Sequence, residues 1–207
     1  MPHVATTTAT EQHSHATGTM IAVMDGEKPV EDLQIGDLVR TKDNGYQPVR
    51  WVASRVLGLS ALNADPSLRP IRIQANALGA QKPGRDLIVS QQHCVLIDDW
   101  RCELLFGEDE ILAPAKALLN DATITIDRTS EEVTYYHFMF DGHEIVYSNG
   151  VETESFHPAF GGFDALDADK RAEMLKLFPQ LENDMDAFGP RARGTLRNHE
   201  VDVLMAC

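Results

Sequence analysis

Four side chains in this sequence could attack a carbonyl or move a proton. Ser14 stands in HSHATGTMIAV (His13 to Val23), flanked by His13 and His15, just ahead of a Gly-Thr pair and the first apolar run. Ser90 and His93 are three apart in DLIVSQQHCVLI, and His143 follows an Asp-Gly turn in FDGHEIVYSNG. A serine hydroxyl attacks only when a base takes its proton. Histidine, with an ordinary pKa near 6.5, can both take a proton and return it near neutrality. Each position also has a plain reading. Ser14 fits a frayed leader, His93 a satisfied core histidine on an apolar strand, and His143 an exposed turn residue. His137, six residues before His143 and between aromatics, reads as core.

Ligand-type residues also gather here. His13 and His15 flank Ser14, and His93 precedes Cys94, which together are zinc-type donors. Neighbours on a strand point to opposite faces, so His93 and Cys94 do not readily share one ion, and no metal is expected. Glu108, Asp109 and Glu110 read as a solvated loop and not a calcium site. Three cysteines without a CxxC give no disulfide framework and no redox motif. Cys94 reads as a small buried core residue, Cys207 as incidental, and no cofactor is called for.

The elements that must position these groups are short strands. From Thr19 onward, β-type runs alternate with turn signals, as in TMIAVMDGEKPV, DLVRTKDNGYQPVRWV and VTYYHFMFDGHEIVYSNGVETESF. Gly36, in LQIGDLV, fits a tight bend ahead of a strand. Segments this short and this regularly punctuated predict an all-β architecture instead of βαβ units. Two helical exceptions are expected: EILAPAKALLND in a connection, and DALDADKRAEMLKLFPQL, stopped by Pro179. Residues 1–13 are Thr- and Ala-rich without periodicity and read as a flexible leader. Residues 14–158 form the strand-rich domain, and 159–207 a helical, acidic extension.

The 207 residues carry a net charge of −14. An acidic chain lacks the basic surface that nucleic acid or an anionic membrane needs, so neither is an expected partner. No stretch reaches the roughly eighteen apolar residues of a spanning helix, and MPHVATTTATEQH has no secretory pattern. The cytoplasm is the default compartment, with signal-independent export the other.

The order of these segments resembles the Hint domain, the self-processing module shared by hedgehog C-terminal regions and inteins. More narrowly it resembles the bacterial subgroup of alphaproteobacterial type. GTMIAVMDGEKPVEDLQIGDLVRTKDNGYQPVRWV is similar to the family's opening block, and RDLIVSQQHCVLI to the block carrying Ser/Thr-x-x-His. GEDEILAPAKALL and VTYYHFMFDGHEIVYSNGVETESFHP are similar to the two later blocks, and LRNHEVDVLM echoes the closing segment.

The resemblance implies a compact, horseshoe-like β fold and self-processing. Family members begin with a cysteine four residues before the glycine of that Gly-Thr, and here the position is Ser14. Ser14 would attack the carbonyl of His13, converting the peptide bond to an ester. The acyl group would then pass to water or a small nucleophile, with the chain's own N-terminal segment as substrate. His93 would transfer the proton, Ser90 would orient its ring or polarise the scissile carbonyl, and His143 would assist the second step. Asn149 and Gly150 coincide with the turn before the end of the core, and also read as a plain hairpin turn. Inteins end in His-Asn, and the asparagine cyclises. Here ETES offers Glu154 and Ser155, so the implication is N-terminal cleavage without full splicing. The reading from a different class is a catalytically silent Hint-like module with a structural or interaction role.

Overall fold

The structure is a computed structural model that describes residues 13–160, 162–163 and 166–206. The chain opens with β1 (His15–Ala16), the hairpin of β2 (Met20–Val23) and β3 (Gly26–Pro29), β4 (Leu38–Arg40), β5 (Tyr46–Pro48) and β6 (Trp51–Gly58). A short helix, α1 (Leu59–Ala64), leads to β7 (Ile71–Ile73), β8 (Leu87–Val89) and β9 (Cys94–Asp98). Helix α2 (Trp100–Phe106) precedes β10 (Glu110–Pro114), β11 (Ile124–Ile126) and β12 (Glu132–Met139). Strands β13 (Ile145–Ser148) and β14 (Val151–Glu154) complete the sheets, and helices α3 (Ala168–Leu177) and α4 (Asn198–Ala206) follow.

Two antiparallel sheets result. One runs β11-β7-β8-β1-β12-β6. The other runs β10-β9-β14-β13-β2-β4-β5, with β3 paired to β2. Turn chemistry sets the hairpins. Asn149 and Gly150 take φ of +51° and +82°, the two left-handed conformations a two-residue loop needs to match strand twist. Asn149 does more than turn. Its Oδ1 accepts from Met20 N–H (2.8 Å) and its Nδ2 donates to Asp86 O (2.9 Å), tying the hairpin to β2 and to the approach to β8. Gly36 takes φ +94° at the expected bend.

The all-β reading holds, with corrections in the connections. EILAP is strand β10, paired residue for residue with β9, and only Ala115–Leu118 forms a 3-10 turn. Ile111, Leu112 and Ala113 are all buried, and a strand covered on both faces reads as an unbroken apolar run that periodicity cannot separate from a helix. His93 lies in the turn between β8 and β9 and not on a strand, its N–H donating to Ser90 O (3.1 Å). No helix among the described residues is long and apolar enough to cross a membrane.

The C-terminal segment is packed into the domain. Met174, Phe178, Leu181 and Phe188 share a cluster with Trp51, Met139 and Phe156. Leu196, Val201 and Leu204 join the cluster built on Ile71, Leu87, Val95 and Ile111. Each such side chain contributes about 1.5–3 kcal/mol when fully buried, so these residues support the sheets that hold the site.

Candidate functional site

Register brings the site together. His15 pairs with Tyr136 of β12 on one side and with Val89 of β8 on the other. One residue earlier, Ser14 therefore stands opposite His137 and Ser90. The Ser14 N–H donates to Ser90 Oγ (2.9 Å), and Ser90 N–H donates to Ser14 O (3.0 Å). Ser14 Oγ lies 3.3 Å from both ring nitrogens of His137. His137 Nδ1 is also 3.2 Å from the carbonyl oxygen of His13, so it carries the proton and donates to that oxygen. That leaves the Nε2 lone pair free to accept from the Ser14 hydroxyl. Ser14 itself is fully buried.

The second sheet supplies a carboxylate. Thr153 of β14 pairs with Val95 of β9, which sets Glu154 beside Cys94. Glu154 Oε1 accepts from Cys94 N–H (2.8 Å) and from His13 Nδ1, and Oε2 is 3.5 Å from His143 Nε2. Burial would raise this carboxyl. The flanking His13 and His143 outweigh that and hold it well below the usual carboxylate range. His143 Nε2 donates to Ser155 O (3.1 Å), while its Nδ1 accepts from Ala192 N–H (3.0 Å). Those two bonds fix the orientation of the ring.

The remaining histidines are buried and uncharged. Burial pushes His93 down to about 3, only partly offset by Glu154, and neither of its nitrogens has a hydrogen-bond partner among the described residues. Its ring meets that of His15 edge-on, centroids 4.2 Å apart. His15 is held by Ser148 Oγ (2.9 Å) and Thr153 Oγ1 (3.2 Å), and burial keeps it well below its ordinary value. Burial lowers His137 to about 4, against the hydrogen bond it donates to the His13 carbonyl, which acts the other way. His15, His93 and His137 are thus buried imidazoles that resist protonation. Such rings act as bases and as neutral N–H donors, not as standing acids.

The structure places Ser14 and Ser90 in contact and buries His93 in the same centre, but the ring touching Ser14 is His137. His143 does not reach Ser14; it lies on the far side of Glu154. His137, read as core, is buried as expected, and it also contacts both the Ser14 hydroxyl and the His13 carbonyl. His13, read as the last leader residue, is corrected. It is 7 % exposed and anchored to Glu154. Residues 1–12 of the expected leader, and Cys207, lie outside the described residues. Alternation along VTYYHFMF could have found His137, because a polar residue facing the core of a paired strand needs a partner. No local signal joins Glu154 to His13.

A cavity of about 330 Å³ is lined by His13, Gln92, Cys94, Lys116, Arg191 and Arg197, among others, and gives access to the acyl side of the His13–Ser14 bond. The C-terminal segment forms one wall of it. Arg191 lies 4.1 Å over the Phe160 ring, and His157 Nε2 donates to Gly189 O (3.0 Å).

The chain is similar to several solved structures, all at low identity. The gp41-1 intein is 16 % identical, with 68 % of this chain and 97 % of that chain covered and a TM-score of 0.40. A splice-inactive variant of the AceL NrdHF class 3 split intein is 13 % identical (69 % and 97 % covered, TM-score 0.46). The bacterial intein-like domain from Clostridium thermocellum is 12 % identical (70 % and 100 % covered, TM-score 0.43). A search of curated proteins finds no match. The family model of the Hint domain matches residues 13–160, most of the chain. By that match, and with a β architecture that agrees with it, the chain belongs to the Hint domain family.

Proposed function

We propose that this domain processes itself by an N–O acyl shift at His13–Ser14, without completing protein splicing. The observation that carries the proposal is the grip on one peptide bond. Its nucleophile, its carbonyl oxygen and its departing nitrogen are each held by a side chain: His137 Nε2 on Ser14 Oγ, His137 Nδ1 on His13 O, and Ser90 Oγ on Ser14 N–H.

In the proposed step, Ser14 Oγ forms a bond to the His13 carbonyl carbon and gives its proton to His137 Nε2. The negative charge that develops on the His13 oxygen is met by the N–H already donating to it. The C–N bond then breaks, and the proton passes from the imidazolium to the Ser14 nitrogen, leaving an amine and an ester. His93, which has no hydrogen-bond partner among the described residues, is the further proton carrier for the step that resolves the ester. Water or a small nucleophile enters through the cavity at His13 and takes the acyl group. Ser155 does not continue the reaction. It has no amide to cyclise, its Oγ accepts from Glu144 N–H (3.0 Å), and its carbonyl is held by His143.

Intact mass over time, with and without hydroxylamine, tests the reading. The chain should lose its segment up to His13, Ser14→Ala should abolish the loss, and Ser14→Cys should accelerate it in the presence of a thiol. A mass that stays constant in both the wild type and Ser14→Cys would establish the silent-module reading instead.

A further inference from the structure

The cavity beside the scissile bond runs against the charge of the chain. The sequence holds 32 acidic and 18 basic residues, yet no aspartate or glutamate lines this cavity, whereas Lys116, Arg191 and Arg197 all do. We propose that the cavity binds an anionic group, and that the acyl acceptor of this domain is a small amine carrying a carboxylate or a phosphate.

Each cation is set at the cavity by the fold. Lys116 sits in the 3-10 turn after β10, where its N–H donates to Gln91 O (2.9 Å) and the Ala115 N–H donates to His93 O (2.9 Å). Arg191 donates from Nη1 to Thr195 Oγ1 and lies over the Phe160 ring, while its buried Nε has no hydrogen-bond partner among the described residues. Arg197 directly precedes α4, whose first N–H groups add partial positive charge at Asn198, also in the lining.

These cations are left without carboxylate partners. Arg193, two residues from Arg191, is ion-paired to Asp43 (2.7 Å) and Glu110 (2.8 Å), whereas none of the three cavity cations has an ion pair among the described residues. The carboxylates nearby are engaged elsewhere. Glu154 holds His13 and the Cys94 N–H, and Glu200 accepts from the Arg197 N–H (2.6 Å). Uncompensated cations around a concave site raise the local concentration of anions, an attraction that salt screens. At about 330 Å³ the cavity is at the lower end of small-molecule sites.

His13 lines the same cavity, so an acceptor held by its anion has its amine close to the acyl group. The neutral amine attacks the His13 carbonyl carbon of the ester, the C–O bond to Ser14 breaks, and the proton lost by the amine passes to Ser14 Oγ. The products are an amide on His13 and a restored Ser14 hydroxyl, with no other reactant. This transfer rests on the proposed acyl shift; the binding of the anion does not.

The binding test uses the full chain as Ser14→Ala, titrated with O-phosphoethanolamine, β-alanine and ethanolamine and followed by nitrogen–proton NMR. The first or the second should bind at least tenfold more tightly than ethanolamine, with shifts centred on Lys116 and Asn198, and the tighter of the two identifies the anion. Adding Lys116→Gln and Arg197→Gln should remove the difference. The comparison of amines needs no charge variant, so a misfolded one does not leave the question open. The transfer test gives the wild type aminooxyacetate, which carries a carboxylate, or neutral O-methylhydroxylamine. The His13 adduct should form at least tenfold faster with aminooxyacetate, and the advantage should vanish in ~0.5 M NaCl and in the Lys116→Gln, Arg197→Gln chain, whose cleavage by uncharged hydroxylamine stays unchanged. Equal affinity for all three amines, or anion binding indifferent to Lys116 and Arg197, overturns the site. If the anion binds and the two oxyamines react equally, the acceptor assignment is overturned. If the anion binds and neither the wild type nor Ser14→Cys ever cleaves, the site stands and the acyl shift falls.

Discussion

Acidifying the buffer from pH 7 to pH 5 tests whether the buried imidazoles are neutral in the folded chain. His93 and His137 have folded values of about 3 and about 4, against an ordinary value of 6.5. Between those limits the unfolded chain binds two protons that the folded chain refuses. Stability is therefore full above pH 6.5 and falls as pH drops through that value, by about 1.4 kcal/mol per unit for each histidine. From pH 7 to pH 5 the two together remove about 4 kcal/mol, a large part of the 5–15 kcal/mol typical of a domain. His15, lowered by the same burial, adds to the fall. Glu154 does not offset it. Its depressed carboxyl contributes stability that is present above about 4.5 and is lost only below it, in the same acid direction. Urea unfolding at pH 7, 6 and 5 with chelator present measures this directly. The double variant His93→Gln, His137→Gln should flatten the curve by a similar amount. A wild-type loss under about 1 kcal/mol between pH 7 and 5 would refute the neutral cluster.

Other perturbations give separate readouts. Removing the base with His137→Ala should slow bond cleavage by about 10²–10⁴-fold, measured by intact mass, with Ser14 still present. Because His137 is already deprotonated above about pH 5, the wild-type cleavage rate should be flat from pH 5.5 to 8. A bell centred near neutrality would point to a histidine with an ordinary pKa instead. Phe188→Ala should cost about 3–5 kcal/mol in urea unfolding, since Phe188 packs with Phe178 and His157 under the site. A cost near zero would show that the C-terminal segment is an appendage.

Much of the strand plan was legible because turn residues announce it. Asn149-Gly150, Gly36 and Gly26 of the first Asp-Gly turn each take a positive φ, whereas Gly142 of the second does not. The connections were less legible, for identifiable reasons. The β10 run is apolar on both faces and so has no period, while α1 is only six residues long, too short to show one. Helix α2 did carry signals: Asp99 caps it by accepting from Arg101 N–H, and Gly107 ends it in the left-handed conformation. In the site, Ser14, Ser90 and His93 could be connected through the family resemblance. His137 reads as core because its neighbours are aromatic, and that pattern does not separate packing from a contact with Ser14. For Glu154 the sequence shows only a side chain that cannot cyclise. Its contact with His13, 141 residues away, comes from the pairing of β9 with β14, which no local pattern encodes.

The most direct measurement identifies the bond itself. Incubating the purified chain with hydroxylamine and sequencing the released peptide by tandem mass spectrometry should give a fragment ending in a hydroxamate on His13, paired with a product whose N-terminus is Ser14. Neither species should form from Ser14→Ala or appear at comparable rate from His137→Ala. A hydroxamate on any other residue, or no hydroxylamine-dependent fragment from either the wild type or Ser14→Cys, would contradict the assignment of His13–Ser14 as the reacting bond.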